Sequence, residues 1–116
     1  MLKGSGLSSS AAFEGLLSSI VNGLYNGNKI DAVSIAKYSQ FAEREYFGKP
    51  CGLLDQMASS VGGFTYADFN DPQNPEIKKI DLDLSQSGHT LCVVDTGGNH
   101  ANLTQDYADI NLNAKI

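Results

Sequence analysis

Two glycines and three consecutive serines run straight into an apolar segment of helical period at Gly4-Ser5-Gly6-Leu7-Ser8-Ser9-Ser10-Ala11-Ala12. No other stretch restricts the fold as strongly. Glycine has no Cβ and tolerates positive φ, so the backbone can turn tightly and aim successive N–H groups at one point. A helix starting directly behind adds unpaired N–H donors and the positive end of the macrodipole. Such a loop is suited to an anion, most often a phosphate. A flexible Gly/Ser arm ahead of a helix has the same composition. The run lacks the lysine that closes a Walker A loop and the third glycine of the dinucleotide fingerprint. With no embedded lysine, a phosphate here calls for a divalent cation, and the Ser10 hydroxyl is a suitable hard ligand for one.

Behind the loop, apolar residues at Ala11, Ala12, Leu16, Leu17, Ile20, Val21 and Leu24 predict one buried helical face from Ser10 to about Tyr25. Asn26-Gly27-Asn28 ends it. Asp31 then caps a second helix to about Phe47, with Ala32, Val33, Ile35, Ala36, Ser39, Phe41 and Ala42 as its inner side. Gly48-Lys49-Pro50-Cys51-Gly52 breaks the pattern, and a third helix is expected from Leu53 to Val61. Beyond Gly62-Gly63 the period changes. Phe64 to Ala67 and Ile77 to Leu84 read as strands around the turn-rich Asn70 to Pro75. Leu91-Cys92-Val93-Val94 reads as a third, doubly buried strand, followed by the loop Thr96 to His100. Three helices followed by strands make an α+β chain rather than a βαβ series.

The totals exclude several functions. A net charge of −5 leaves no basic platform for nucleic acid, although local donors and a metal ion can still hold a nucleotide. No apolar run approaches the roughly 20 residues that span a bilayer. Cys51 and Cys92 lack metal-ligand spacing, which favours a reducing cytoplasm over a disulfide framework.

Two carboxylates are candidates for chemistry. Glu43, in Ala42-Glu43-Arg44-Glu45, is either a second cation ligand or a solvated helix-face charge. Asp55 lies behind the Pro50-Cys51-Gly52 turn, among Leu53, Leu54 and Met57. There it is either an ordinary first-turn aspartate or a base toward a ligand hydroxyl. His89 and His100 carry no comparable signal.

Taken together these motifs resemble the galactokinase branch of the GHMP kinases. The triple-serine loop is similar to that family's phosphate loop. Glu43 lies twelve residues before Asp55 as it does there, and Phe47-Gly48-Lys49-Pro50-Cys51-Gly52-Leu53-Leu54-Asp55-Gln56 resembles the segment carrying the catalytic aspartate. The resemblance implies that Gly4, Ser5, Gly6, Leu7, Ser8, Ser9 and Ser10 wrap the ATP phosphates, that Ser10 and Glu43 ligate Mg2+, and that Cys51, Gly52 and Asp55 face the sugar. Asp55 would stand at the C1 hydroxyl of galactose. The implied architecture is part of a GHMP kinase fold. Residues 1–63 would be an incomplete N-terminal domain like ribosomal protein S5 domain 2, and residues 64–116 connecting strands and the start of the C-terminal domain. A sugar- and ATP-binding regulatory relative, or a kinase of another sugar, would share these motifs. The family's upstream sugar-binding run and its third glycine-rich motif have no counterpart in the sequence. The expectation is therefore an inactive central fragment, prone to self-association through apolar surface meant for other elements.

Overall fold

The structure, a computed structural model, describes residues 6–94. Three helices lead: α1 (Ser9–Asn26), α2 (Ala32–Glu45) and α3 (Leu54–Val61). A two-stranded antiparallel hairpin follows, β1 (Phe64–Asp68) and β2 (Glu76–Ile80), and then a short 3-10 turn at Leu84–Ser87. The chain is thus a small α+β unit whose three helices pack on one another.

Each helix boundary has a local cause. Gly27 takes the left-handed conformation (φ 58°) after α1, and the Gly27 and Asn28 N–H groups both return to the Asn22 carbonyl. Asp31 caps α2, its Oδ1 accepting from the Ser34 amide at 2.8 Å and its Oδ2 from the Ser34 hydroxyl at 3.2 Å. Those bonds hold the Asp31 carboxyl below its ordinary value, the Ser34 amide contributing most. The buried Asn22 side chain fastens the loop between α1 and α2. It donates to the Ile30 carbonyl at 3.0 Å and accepts from the Ile30 amide at 3.2 Å.

Among the described residues the core is small: Ala11 from α1, Ile35 and Ala36 from α2, and Met57 from α3. The buried face of α1 differs from the expected one. Ala11, Gly15 and Asn22 face inward, whereas Leu16, Leu17, Ile20, Val21 and Leu24 are exposed. The small residues bring α1 close to α3, since a Cβ at Gly15 would meet the Ser60 hydroxyl at 3.4 Å. Close helix approach has therefore selected the small stripe and left the large apolar one uncovered among the described residues. Phe41, expected on the inner side of α2, is likewise exposed, while Ile35, Ala36 and Ser39 are buried as expected.

The hairpin pairs Phe64 with Ile80 through Asp68 with Glu76. Its loop is closed by aspartates: Asp68 accepts from the Asn70 amide at 2.8 Å and Asp71 from the Gln73 amide at 2.9 Å. The second strand stops at Ile80, four residues short of the expected Leu84. Asp83 explains the early turn. Its carboxylate accepts from the Ser85 amide at 3.0 Å and the Ser85 hydroxyl at 2.6 Å, nucleating the 3-10 turn instead. Leu91 to Val94 form no strand and are exposed, having no neighbouring strand among the described residues against which to pair. The loop expected at Thr96 to His100 lies outside the described residues.

Candidate functional site

The polar residues of interest gather at one end of α1 and α2. Ser8 ends the opening loop in the left-handed region (φ 54°), a conformation uncommon for a residue with a side chain. Gly6 is also at positive φ (71°). Ser8 makes no side-chain cap, and its carbonyl takes the first helical bond from the Ala12 amide at 3.1 Å. The N–H groups of Ser9, Ser10 and Ala11 therefore have no partner within the helix by its geometry. Gly4 and Ser5 lie outside the described residues, while Gly6, Leu7, Ser8, Ser9 and Ser10 are within them.

Glu43 is not the solvated helix-face charge that its sequence context also allowed. Its side chain is 4% exposed. Oε1 accepts from the Lys49 ammonium at 2.7 Å and Oε2 from the Gln56 amide, also at 2.7 Å. Burial alone would push the Glu43 carboxyl up. The Lys49 ammonium, by its hydrogen bond and its charge, outweighs it with help from nearby Ser10 and Cys51, and holds the group below its ordinary value. Ser10 on α1 and Glu43 on α2 are brought to the same place across 33 positions of sequence.

Both line one cavity of about 520 Å³, with Phe13, Leu17 and Phe47 among its apolar walls and Glu14 and Lys49 among its polar ones. Glu14 stands one helical turn beyond Ser10, on the same face of α1. Its Oε2 is buried without a hydrogen-bond partner. Burial and then the neighbouring Glu43 charge push its carboxyl up, against the pull of Lys49.

The sugar-side candidates sit elsewhere. Asp55 is exposed in the first turn of α3, and Gly52 is exposed in the turn before it. Neither they nor Cys51 line the cavity. The two groups are nevertheless joined through one side chain. Gln56, next to Asp55, is buried, donates to Glu43, and lies 3.8 Å from the Cys51 sulfur. Burial and the Glu43 charge push the Cys51 thiol up to about 11, which favours its protonated form at neutral pH.

Oxygen donors suit a hard cation. A hydroxyl and a buried carboxylate, with a second carboxylate oxygen left unpartnered at Glu14, match what magnesium accepts alongside its own waters. Among the described residues no group of three or more His, Cys, Asp or Glu side chains forms a metal cluster, so Ser10 and Glu43 would share the ion with water or a ligand. Glu14, Lys49 and Gln56, which adjoin Ser10 or Glu43 here, are not singled out by sequence reasoning. The four-residue step from Ser10 to Glu14 was the one signal that pointed to any of them.

Comparison with known proteins gives the same direction. Residues 1–63, over half the chain, match the model of the GHMP kinases N terminal domain. The galactokinase of Clostridium tetani is 41% identical over 81 residues, covering 70% of this chain and 21% of its own length. That of Streptomyces coelicolor is 38% identical over 104 residues, 90% of this chain and 27% of its own length. The galactokinase of Thermosipho africanus is 34% identical over 104 residues, covering 90% and 29%. The chain therefore spans between about a fifth and a third of the curated relatives it matches. No solved structure gives a significant match. No described helix is long and apolar enough to cross a membrane. With a serine-rich loop opening onto a buried glutamate, and a family match through both, the chain belongs to the GHMP kinase family.

Proposed function

We propose that this chain carries the nucleotide- and cation-binding part of a galactokinase, which transfers the γ-phosphoryl of ATP to the C1 hydroxyl of galactose. The observation that carries it is the meeting of Ser10 and Glu43 at one cavity behind the serine loop. In this proposal Gly4 to Ser10 wrap the phosphates through backbone N–H groups, and Ser10 and Glu43 ligate Mg2+. The ion would neutralise charge on the phosphates. Phosphoryl transfer needs positioning and charge stabilisation more than covalent chemistry. Asp55, exposed at the start of α3, would face the C1 hydroxyl and orient or accept its proton, with Cys51 and Gly52 forming the turn beside the sugar. Gln56 would keep the two halves in register, because it follows Asp55 and holds Glu43.

The proposed architecture assigns residues 1–63 to an S5-like N-terminal domain and residues 64–116 to the approach to the C-terminal domain. Both described cysteines are free, which fits a reducing compartment, and the cytoplasm is the proposed location.

The test is calorimetric titration of the chain with ATP, magnesium present or chelated, followed by addition of galactose and 31P NMR of the mixture. Magnesium-dependent ATP binding is expected. No galactose 1-phosphate resonance is expected from a piece that spans under a third of its relatives, and its appearance would show that this piece alone suffices for transfer. ATP binding indifferent to magnesium would contradict the proposal.

A further inference from the structure

Lys49 is given no role in the proposed phosphoryl transfer, yet the chain reverses to place it at Glu43. Gly48 adopts positive φ (61°), which lets the backbone fold back over the end of α2. The Lys49 amide then reaches the Glu43 carbonyl at 3.3 Å, and its ammonium reaches Glu43 Oε1 at 2.7 Å. The second Glu43 oxygen is held by Gln56. Both oxygens of the buried carboxylate are thus engaged, one of them by a cation.

A divalent ion arriving at Glu43 would meet that ammonium at bonding distance. Two cations crowding one carboxylate repel each other, and the buried setting screens them poorly. Lys49 is the partner free to leave. Its side chain is 49% exposed on a flexible stem, whereas Glu43 is fixed by Gln56. The cavity retains a second acid, Glu14, so departure of the ammonium leaves a more negative site for the ion.

We propose that Lys49 is a resident competitor for the divalent cation at Glu43, displaced when the ion binds and set free to pair with the phosphates that accompany it. The proposal rests on Glu43 being a cation ligand, as above. Binding of the ion and of the ammonium to Glu43 are then mutually exclusive, and each weakens the other to the same extent. The free ion binds weakly, and the ion–nucleotide complex, which offers the displaced ammonium a new anion, binds well.

Manganese alone, titrated into the full chain and followed by electron paramagnetic resonance of the free ion, tests this. Lys49→Met should bind Mn2+ about tenfold more tightly than the wild type, equivalent to about 1.4 kcal/mol. Lys49→Arg should keep the weak wild-type affinity, and Glu43→Gln should abolish binding in either background. Equal affinity in Lys49→Met and wild type would overturn the competition while leaving Glu43 as a ligand. Absence of Mn2+ binding in every variant would remove both the competition and the cation role of Glu43. Should Lys49→Met lose its helical circular dichroism, the wild-type Lys49 side-chain NMR resonance decides. It should shift on saturation with Mg2+, and an unmoved resonance would overturn the proposal.

Discussion

Met57→Ala is expected to lower the free energy of unfolding by about 2–5 kcal/mol. Met57 is fully buried and is the largest such side chain, in a core whose other apolar members are Ala11, Ile35 and Ala36. Alanine there leaves a void in a small core, whose other buried members Ala11 and Ala36 are too short to fill it. Domain stabilities are typically only about 5–15 kcal/mol, so this single change removes a large share. Met57→Leu, which keeps the volume, should cost less than about 1.5 kcal/mol. Urea unfolding followed by helical circular dichroism measures both. A loss under about 1 kcal/mol for the alanine variant would mean that the three helices do not close around this residue.

Glu43→Ala is expected to have the second largest effect, and one that depends on pH. It removes the acceptor of the buried Gln56 amide, whose Oε1 is already without a partner. Stranding a buried polar group costs about 1–3 kcal/mol. Lys49, half in water, is rehydrated and adds little. The Glu43 carboxyl sits below its ordinary value of 4.5 in the folded chain. Its contribution is therefore complete above that ordinary value and disappears as pH falls through the lowered folded one. Lys49, raised above 10.5 chiefly by its bond to Glu43, contributes fully below that value and loses its contribution as pH rises through the raised one. Glu14 works in the opposite sense to Glu43. Its raised carboxyl favours the fold below its ordinary value and loses that advantage as pH rises through the folded one. Unfolding midpoints across a pH series should show a neutral-pH loss in Glu43→Ala that narrows as pH falls through the lowered Glu43 value and changes little toward alkaline pH. A constant difference at every pH would contradict the ion pair.

Local punctuation was legible in the sequence because its causes are local. Asp31 as a cap, Gly27 as a terminator, the break at Gly48 to Gly52 and the change of period at Phe64 each depend on a few adjacent residues. The direction of α1 was not legible. Both its small and its large stripes have helical spacing, and only the approach of α3 to Gly15 selects the small one. The strand expected at Leu91 to Val94 failed for a similar reason, since β-structure needs a partner and apolar runs do not name one.

The candidate site divides in the same way. Ser10 and Glu43 could be matched by motif, but what holds Glu43 could not. Lys49 reaches it through a backbone reversal and Gln56 from another helix, and neither spacing announces a hydrogen bond. Asp55 was expected among apolar neighbours. Met57 is indeed buried, but Asp55 and Leu54 face outward, because the first turn of a short helix has one inner side only.

The central claim is that Ser10 and Glu43 form one cation-binding place beside the phosphate loop. Paramagnetic broadening by Mn2+·ATP in the 15N-labelled chain tests it most directly, since the effect falls off steeply with distance from the ion. The amide resonances of Ser10, Glu14 and Glu43 should broaden first, at the lowest manganese. Broadening that begins at Asp68 and Asp71 in the hairpin loop, with Ser10 and Glu43 left sharp, would contradict it.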